Sequence, residues 1–525
     1  MSGHKGMDKV IKPGWLAGAA AFLAWSLVFA IIYAQSPLYT SNQNQYFLHG
    51  LASAGFGYLG HDWLANTVDP LPLFSLIVHL THLICASGWL FYLYYTLLMG
   101  VYLVGMLGIA DRLFDLRGSR NRHLAFLVLF LLIHSAALHF ALSRLLGMQE
   151  PFLLEGGVAS QRLLGQVLQP STFGVFIILS ISLFLRKRRF LSLVAMAVAV
   201  AFHSVYLLCA ALLTLGFMWA IFREERSLKQ PILFGLGALA LVAPVVAYTI
   251  FIFKPTSGEI IQEVNAMLVT FRNPHHAIVA EWLDWSVLVQ AAIVCGALFV
   301  IRKKRLFAVL AVMVLGTALL TVVQVVTNSN ALALLYPWRT SVILVPVSTC
   351  ILLAFLVTRI AETWKRKPAE PQRSRWVGGL SLVILSVLII IGVLRFRVEL
   401  DRQQAGAAVP MMRFVSENKS EQHLYLVPAD AENFRLATGA PIFAEFKAVP
   451  YRDTDVQEWY RRMLLVYSFY KNRDDPCEVI RYLASGEGIT HIVLPADNRE
   501  PLVCDSLQPV HEDEHYGVYH VDLSP

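Results

Sequence analysis

Two carboxylates, Asp62 and Asp69, stand in a long polar stretch, Gln35–Ser87, that follows a first apolar run. The stretch is dense in Asn, Gln, His, Gly and aromatic residues, and these two are its acids. Taking a proton from an acceptor hydroxyl requires a carboxylate beside an aromatic, partly desolvated surface. Asp62, in GHDW, has His61 and Trp63 beside it and reads as a general base, with structural hydrogen bonding as the competing role. Asp69 precedes Pro70 and reads as a second catalytic candidate or as a cap of the next helix. Asn42, Gln45 and Tyr46, in SNQNQY, offer amide and phenol groups to a substrate, with Phe47 and Trp63 as apolar surfaces. The acids do not form a D-x-D pair, so no metal site is expected, no cofactor is called for, and a divalent cation has no support in the spacing.

Three further clusters carry guanidinium and imidazole groups. Glu155-Gly-Gly-Val-Ala-Ser-Gln161-Arg162 precedes QPS at 169–171. Phe271-Arg272-Asn273-Pro274-His275-His276 precedes Glu281-Trp282, and Tyr336-Pro337-Trp338-Arg339 opens an apolar run. A guanidinium fork matches the oxygens of a phosphate, so Arg162, Arg272 and Arg339 are candidate phosphate ligands. Anchoring at a membrane interface is the plainer role for Arg339. Adjacent histidines such as His275 and His276 face different ways on a helix, which favours substrate binding or structure over metal ligation. His203, in FHSVYLL, reads as a packing histidine.

The elements that must position these groups are apolar helices. Hydrophobic residues make up 56% of the 525, charged residues 15%, and mean hydropathy is +0.57. That balance excludes an ordinary soluble protein. About eleven runs approach the ~20 residues that cross a bilayer: 15–34, 88–110, 123–143, 171–185, 190–205, 206–222, 231–253, 285–301, 306–326, 340–357 and 376–394. Net charge is +7, yet residues 398–525 hold 12 Lys/Arg against 21 Asp/Glu. The excess of basic residues falls in alternate loops: Lys5/Lys9/Lys12, Arg112–Arg122, Arg186–Arg189, Arg223–Lys229, Arg302–Arg305 and Lys365–Arg375. This is the positive-inside pattern of cytoplasmic loops, not a nucleic-acid surface. One span at 88–110 keeps all six clusters on one side, and Leu71–Cys85 then becomes an interfacial helix with His79 and His82 on one face. The first run reads as a retained signal anchor. The N-terminus is expected inside. The acids Asp62, Asp69, Glu150, Glu155, Glu259, Glu263, Glu281 and Asp284, and the candidate arginines, are expected outside.

The fold expected is a polytopic α-helical membrane protein with a small C-terminal α/β extracytoplasmic domain. Residues 1–397 form the membrane domain, with its large first outer loop at 35–87, and 398–525 the soluble domain. In the tail, LYLVP (424–428), PIFAEF (441–446), THIVLP (490–495) and GVYHVDL (517–523) read as strands. Residues 430–438, 453–470 and 477–484 read as helices. Cys477 and Cys504 would lie in an oxidising space and are a disulfide candidate.

NQNQYFLHGLA, DWLANTVDP, QPSTFG, FRNPHH, PWR and FRLATGAPIFAEFKAVPYRDTDVQEWYRR resemble an uncharacterised bacterial membrane family of GT-C-like architecture. The layout as a whole resembles the GT-C superfamily of polytopic glycosyltransferases. That resemblance implies an inner-membrane enzyme that takes a sugar from a polyprenyl-phosphate-linked donor and passes it to an extracytoplasmic glycan, lipid or protein acceptor. Asp62 would be its base, Arg272, Arg339 and Arg162 would hold phosphate, and Asn42, Gln45, Tyr46, His61, Glu155, His275 and His276 would contact substrate. Where such enzymes place an acid soon after the first span, this chain has Asn42, Gln43, Asn44 and Gln45. A lipid-linked glycan handler without transfer activity, a flippase or an export component, is the alternative.

Overall fold

The structure, a computed structural model, describes residues 15–148, 152–365, 371–471, 476–496 and 504–522. Lys5, Lys9, Lys12, Glu150 and Lys367 lie outside them. All eleven apolar runs are helical, but they divide by length. Seven helices are long and apolar enough to cross a membrane: Trp15–Tyr33, Trp89–Phe114, Tyr206–Glu225, Lys229–Ile252, Arg305–Thr327, Asn330–Thr363 and Trp376–Gln404. Arg120–Ile133 and Ala136–Leu146, bent by 53° at their junction, make an eighth if they form one span. Pro170–Leu185, Arg189–Phe202 and Trp285–Ile301 are shorter. By length and composition the described residues therefore hold seven or eight spans against eleven expected.

The bend at 134–135 has a local cause. His134 turns its ring onto the Phe130 carbonyl (2.9 Å) and the Tyr102 hydroxyl (3.1 Å), and Ser135 caps the next helix by accepting from the Leu138 N–H at 3.1 Å. Such a cap satisfies donors freed at a new helix start. Trp89–Phe114 is the central helix. At Gly100 and Gly108 a Cβ would collide with Ser26 and Ser182, so these glycines set the close approach of its neighbours. Leu236, Leu239, Phe251, Leu315, Leu319, Val326, Leu380 and Leu382 remain exposed on the outer helices, as lipid-facing side chains do.

Two ends of the bundle differ in chemistry. At one, the basic loops meet through Arg305 and Glu224 (3.1 Å), Arg186 and Asp111 (3.9 Å), and Arg189 and Glu225. At the other gather the first loop, the segments after 147, 253 and 328, and the C-terminal residues. The 71–85 segment is a helix, Pro72–Ile84, that buries Phe74, Ser75, Val78 and Thr81 and exposes Leu73, Leu76, Leu80, Leu83 and Ile84. His79 and His82 reach back to Ser53 and Phe56 of the same loop.

The tail is a four-stranded sheet of order β1-β2-β4-β3, formed by Tyr425–Leu426, His491–Pro495, Tyr516–Val521 and Leu507–Glu512. β1 runs parallel to β2, with Tyr425 opposite His491, and the other pairings are antiparallel. Helix Asp453–Lys471 covers the sheet with Trp459, Met463 and Val466. PIFAEF is not a strand. It touches β1 through a single bridge at Ile442, because its Ile442 N–H is taken by the Asp62 carboxylate and its Phe446 N–H by the Ala429 carbonyl. Strand β3 and helix Val409–Asn418 were not expected from the sequence. Cys477 and Cys504 are joined as a disulfide, with Cα atoms 5.6 Å apart.

Candidate functional site

Asp62 is the most enclosed acid of the first loop, with no exposed surface. Its Oδ1 accepts from the Leu64 N–H at 3.0 Å and the Ala65 N–H at 3.4 Å; Oδ2 accepts from Arg435 Nε at 2.8 Å and the Ile442 N–H at 3.0 Å. Arg435 Nη1 reaches Glu445 Oε1 at 3.0 Å, and all three side chains are buried. Burial raises the Glu445 pKa, opposed by the Arg435 charge and by the Ala448 and Lys447 N–H donors. A carboxylate with both oxygens in use and no route to solvent ties two segments together and has no lone pair open to an acceptor hydroxyl. The expectation of a base at Asp62 is therefore replaced by a structural role. The join is extended by the Tyr58 N–H to the Gly439 carbonyl (2.8 Å), by Asn44 to Asn433 (2.6 Å), and by Arg462 stacked 4.4 Å over Trp63. Gly57 and Gly439 meet backbone to backbone at φ of +57° and +68°, where a side chain would collide.

Asp69 is placed differently. Its Oδ1 accepts from the Leu71 N–H at 2.8 Å, an Asx-type start to helix Pro72–Ile84, while Tyr248 donates to its carbonyl at 2.6 Å. The carboxylate is half-buried and lines a small cleft with Gln45, Tyr46, His49 and Tyr451. Gln45 donates to Tyr451 Oη at 3.3 Å and to the Val449 carbonyl at 3.5 Å, and Tyr46 lines the same cleft as Tyr451.

Arg272 ends a π-helical turn, Leu268–Arg272, closed by the Asn273 N–H onto the Leu268 carbonyl at 2.9 Å. The extra residue of a π turn rotates the face of the helix. Here Phe271 enters an aromatic nest of Phe446, Trp459, Tyr460 and Tyr467. Arg272 is 9% exposed, donates to Asn273 Oδ1 (3.1 Å) and the Lys447 carbonyl (2.5 Å), and lies 5.1 Å from the Phe446 ring centroid. Among the described residues no carboxylate pairs with it, and its Nε has no hydrogen-bond partner. Burial lowers its pKa, opposed by the fields of Glu445 and of Tyr46, Tyr451 and Tyr336. Nearby, the Thr256 N–H and hydroxyl donate to Asp453 at 2.6 and 2.9 Å, so the tail also clamps the segment that leads into Arg272.

Arg339 sits on the turn Pro337–Thr340, entered through Tyr336 at φ +46°. Its Nε donates to Gln161 Oε1 at 3.2 Å and its guanidinium lies 5.3 Å from the Tyr336 ring; among the described residues it too has no carboxylate partner. The loop that carries Gln161 passes through two left-handed residues, Ala159 and Ser160. Strain of this kind costs about 1–3 kcal/mol per residue and persists where surroundings impose it. The surroundings are His276 Nδ1 on the Ala159 carbonyl (2.7 Å), Trp338 Nε1 on the His276 carbonyl (3.0 Å) and Ser341 Oγ on the Val158 N–H (2.9 Å). His276 is held neutral, its pKa lowered to about 3 by burial, then by His275, Arg339 and Arg272. Both arginines thus act on one imidazole. His275 is exposed beside it, its ring 4.0 Å from that of His276.

The structure therefore brings together Gln45, Tyr46, Asp69, Arg272, His275, His276 and Arg339. Asn42 is turned away onto Gln169 (2.8 Å), His61 lies at the surface against Glu421 (3.3 Å), and Glu155 is buried against His139. Arg162 lies 3.9 Å over the Phe152 ring. His203 is buried edge-on to Tyr46 and Tyr206, as a packing histidine would be. Sequence reasoning missed Tyr451 and the buried pair Arg435 and Glu445. A signal existed for the pair: opposite charges ten residues apart within the apolar stretch FRLATGAPIFAEF.

A family model described only as Domain of unknown function (DUF6798) matches residues 407–466, the stretch that supplies Arg435, Glu445 and Asp453. No curated protein matches the sequence. Among solved structures, the chain is similar to ArnT from Cupriavidus metallidurans bound to undecaprenyl phosphate. Identity is 13%, 97% of this chain and 99% of that one are covered, and the TM-score is 0.45. It is also similar to the archaeal oligosaccharyltransferase AglB from Archaeoglobus fulgidus, in complex with an inhibitory peptide and a dolichol-phosphate. There identity is 8%, coverage 92% of this chain and 70% of that one, and the TM-score 0.48. At these identities and scores neither likeness bears on activity.

Proposed function

We propose that the protein is a membrane glycosyltransferase that takes a sugar from a polyprenyl-phosphate-linked donor and transfers it to a glycan, lipid or protein acceptor. The site would face the extracytoplasmic side of a bacterial inner membrane. The observation that carries this reading is the pair of guanidinium groups, Arg272 and Arg339, each without a carboxylate partner among the described residues. A buried cation short of counter-charge favours an incoming anion. A phosphate matches two forks that act on one histidine, at the end of the bundle where a lipid headgroup would lie.

In this reading the arginines hold the donor phosphate and stabilise the charge that grows on it as the sugar's anomeric carbon–oxygen bond breaks. Asp69 accepts the proton of the acceptor hydroxyl whose oxygen forms the new bond, and Tyr46 and Tyr451 line its approach. Asp62, Arg435 and Glu445 hold the first loop against the tail and so keep Asp69 and Arg272 in register.

The test is purification of the full chain with co-bound lipid, identified by mass spectrometry, followed by transfer assays of wild type, Asp69→Asn and Arg272→Lys. Transfer that survives in both variants would refute the assignment. Binding of a polyprenyl phosphate with no transfer to any acceptor would favour a lipid-linked glycan handler.

A further inference from the structure

A second cavity adjoins Arg339 through Gln161. It has a volume of about 340 Å³ and is lined by the Gly156–Arg162 loop, by Glu281, Trp282, Asp284 and Trp285, and by Gln290. That size falls at the small end of the ~300–1,000 Å³ typical of small-molecule sites. Its walls hold three polar atoms that are buried and without a partner: Gln161 Nε2, Gln290 Oε1 and Trp282 Nε1.

The orientation of both amides is fixed by their other ends. Gln161 Oε1 accepts from Arg339 Nε, which can only donate, so Nε2 is the end left unpartnered in the cavity wall. Gln290 Nε2 points between the Leu153 and Gly156 carbonyls, each 3.4 Å away, so Oε1 is the end left unpartnered in the cavity wall. Each glutamine is 4% exposed. An unmade buried hydrogen bond costs about 1–3 kcal/mol, so two amides and an indole held this way mark a place for a ligand rich in both donors and acceptors. Two indoles in the wall, Trp282 and Trp285, favour a molecule with apolar C–H faces and polar edges. Glu281 is exposed at the same wall with no partner among the described residues, and Asp284 adds a second carboxylate, already capping helix Trp285–Ile301 through the Ser286 and Val287 N–H groups; the two outnumber the one guanidinium of the wall, Arg162, which rests over Phe152.

We infer that this cavity binds the ring of an uncharged hexose and selects against an acidic sugar. Hydroxyl groups satisfy Gln161 Nε2, Gln290 Oε1 and Trp282 Nε1, while Glu281 and Asp284 repel a uronate. Gln161 links the two sites, one end of its amide on Arg339 and the other in the cavity. A ring seated there lies one side chain from the phosphate ligands. The ring's part in transfer rests on the proposed function; its binding does not.

The full-length protein in lipid nanodiscs, free of glycoside detergents, is titrated with D-glucose, D-galactose, D-mannose and D-glucuronate, read by tryptophan fluorescence and saturation-transfer NMR. Saturable binding of at least one neutral hexose is expected, with glucuronate about tenfold weaker. Gln290→Leu and Trp282→Phe should each weaken the hexose about tenfold. Glu281→Gln should narrow the gap between hexose and glucuronate. The inference falls if none of the three hexoses saturates, if glucuronate binds the wild type as tightly, or if Gln290→Leu and Trp282→Phe bind like wild type. Hexose binding with no transfer would sink the proposed function alone; transfer with no hexose binding would sink this site alone.

Discussion

Arg435 Nε lies 2.8 Å from Asp62 Oδ2 although the two residues are 373 positions apart, and neither side chain reaches solvent. The same guanidinium holds Glu445, so one cation in the tail closes a contact between the first loop and the residues before helix Asp453–Lys471. The pair organises the end of the bundle that carries the tail. The groups with chemistry left to do are those it positions.

Asp62→Asn should therefore behave as a stability variant. Removing one partner of a buried pair costs about 3–5 kcal/mol. A loss near the lower figure is expected here, because Glu445 still faces Arg435. Thermal unfolding of the detergent-solubilised protein, with limited proteolysis of the tail, measures it. A melting point equal to wild type would show that the pair does not join the two segments.

Asp69→Asn should do the reverse. Its Asx contact to the Leu71 N–H survives in an amide, so the fold should hold while transfer falls by about 10²–10⁴-fold, the usual weight of a general base. The comparison of the two aspartates in one assay separates a base from a clamp. If Asp62→Asn unfolds nothing and loses all transfer, the two roles are exchanged.

Arg272→Lys and Arg339→Lys keep a positive charge and remove the planar fork. If the forks hold a phosphate, each variant should retain about a tenth or less of the co-purified polyprenyl phosphate, counted by mass spectrometry against total protein. Arg162→Lys should retain more, since Arg162 rests over Phe152. Equal lipid in all three variants would remove phosphate binding from this site.

Much of this was legible in the sequence. Charge alternation separated the two ends of the bundle, and the apolar runs located every long helix. Span count was less legible, because Val175–Leu185 and Arg189–Phe202 are apolar throughout yet only 11 and 14 residues long. Apolar composition reports burial in lipid or in protein alike. The arginines were legible because guanidinium groups in the loops opposite the basic clusters run against the positive-inside bias. Asp62 misled because its neighbours His61 and Trp63 suggested an open aromatic surface, whereas its partners Arg435 and Ile442 lie nearly 400 residues on. No local pattern encodes that distance. The cavity amides Gln161 and Gln290 were invisible for the same reason, since an amide becomes a ligand-binding group only when its other end is fixed.

Acidification gives the last expectation. His276 and His491 are each held neutral, their pKa values lowered to about 3: His276 by burial and then by His275, Arg339 and Arg272, His491 by burial and then by His423 and His520. In the unfolded chain each regains an ordinary value near 6.5. Between about pH 3 and 6.5 the unfolded state binds more protons, so stability is present above 6.5 and is lost as pH falls through that window. The slope approaches about 1.4 kcal/mol per pH unit for each fully neutral histidine. Asp453 works in a lower window. Burial would raise its pKa, but the Thr256 and Thr454 donors bring it below the usual carboxylate value. Its stabilisation is therefore complete above about pH 4 and lost below it. Melting points taken between pH 7.5 and 5 thus lie above the Asp453 window and within that of the histidines. They should decline with acid in the wild type, less in His276→Gln or His491→Gln, and least in the double variant. A double variant as acid-sensitive as wild type would place the pH response elsewhere.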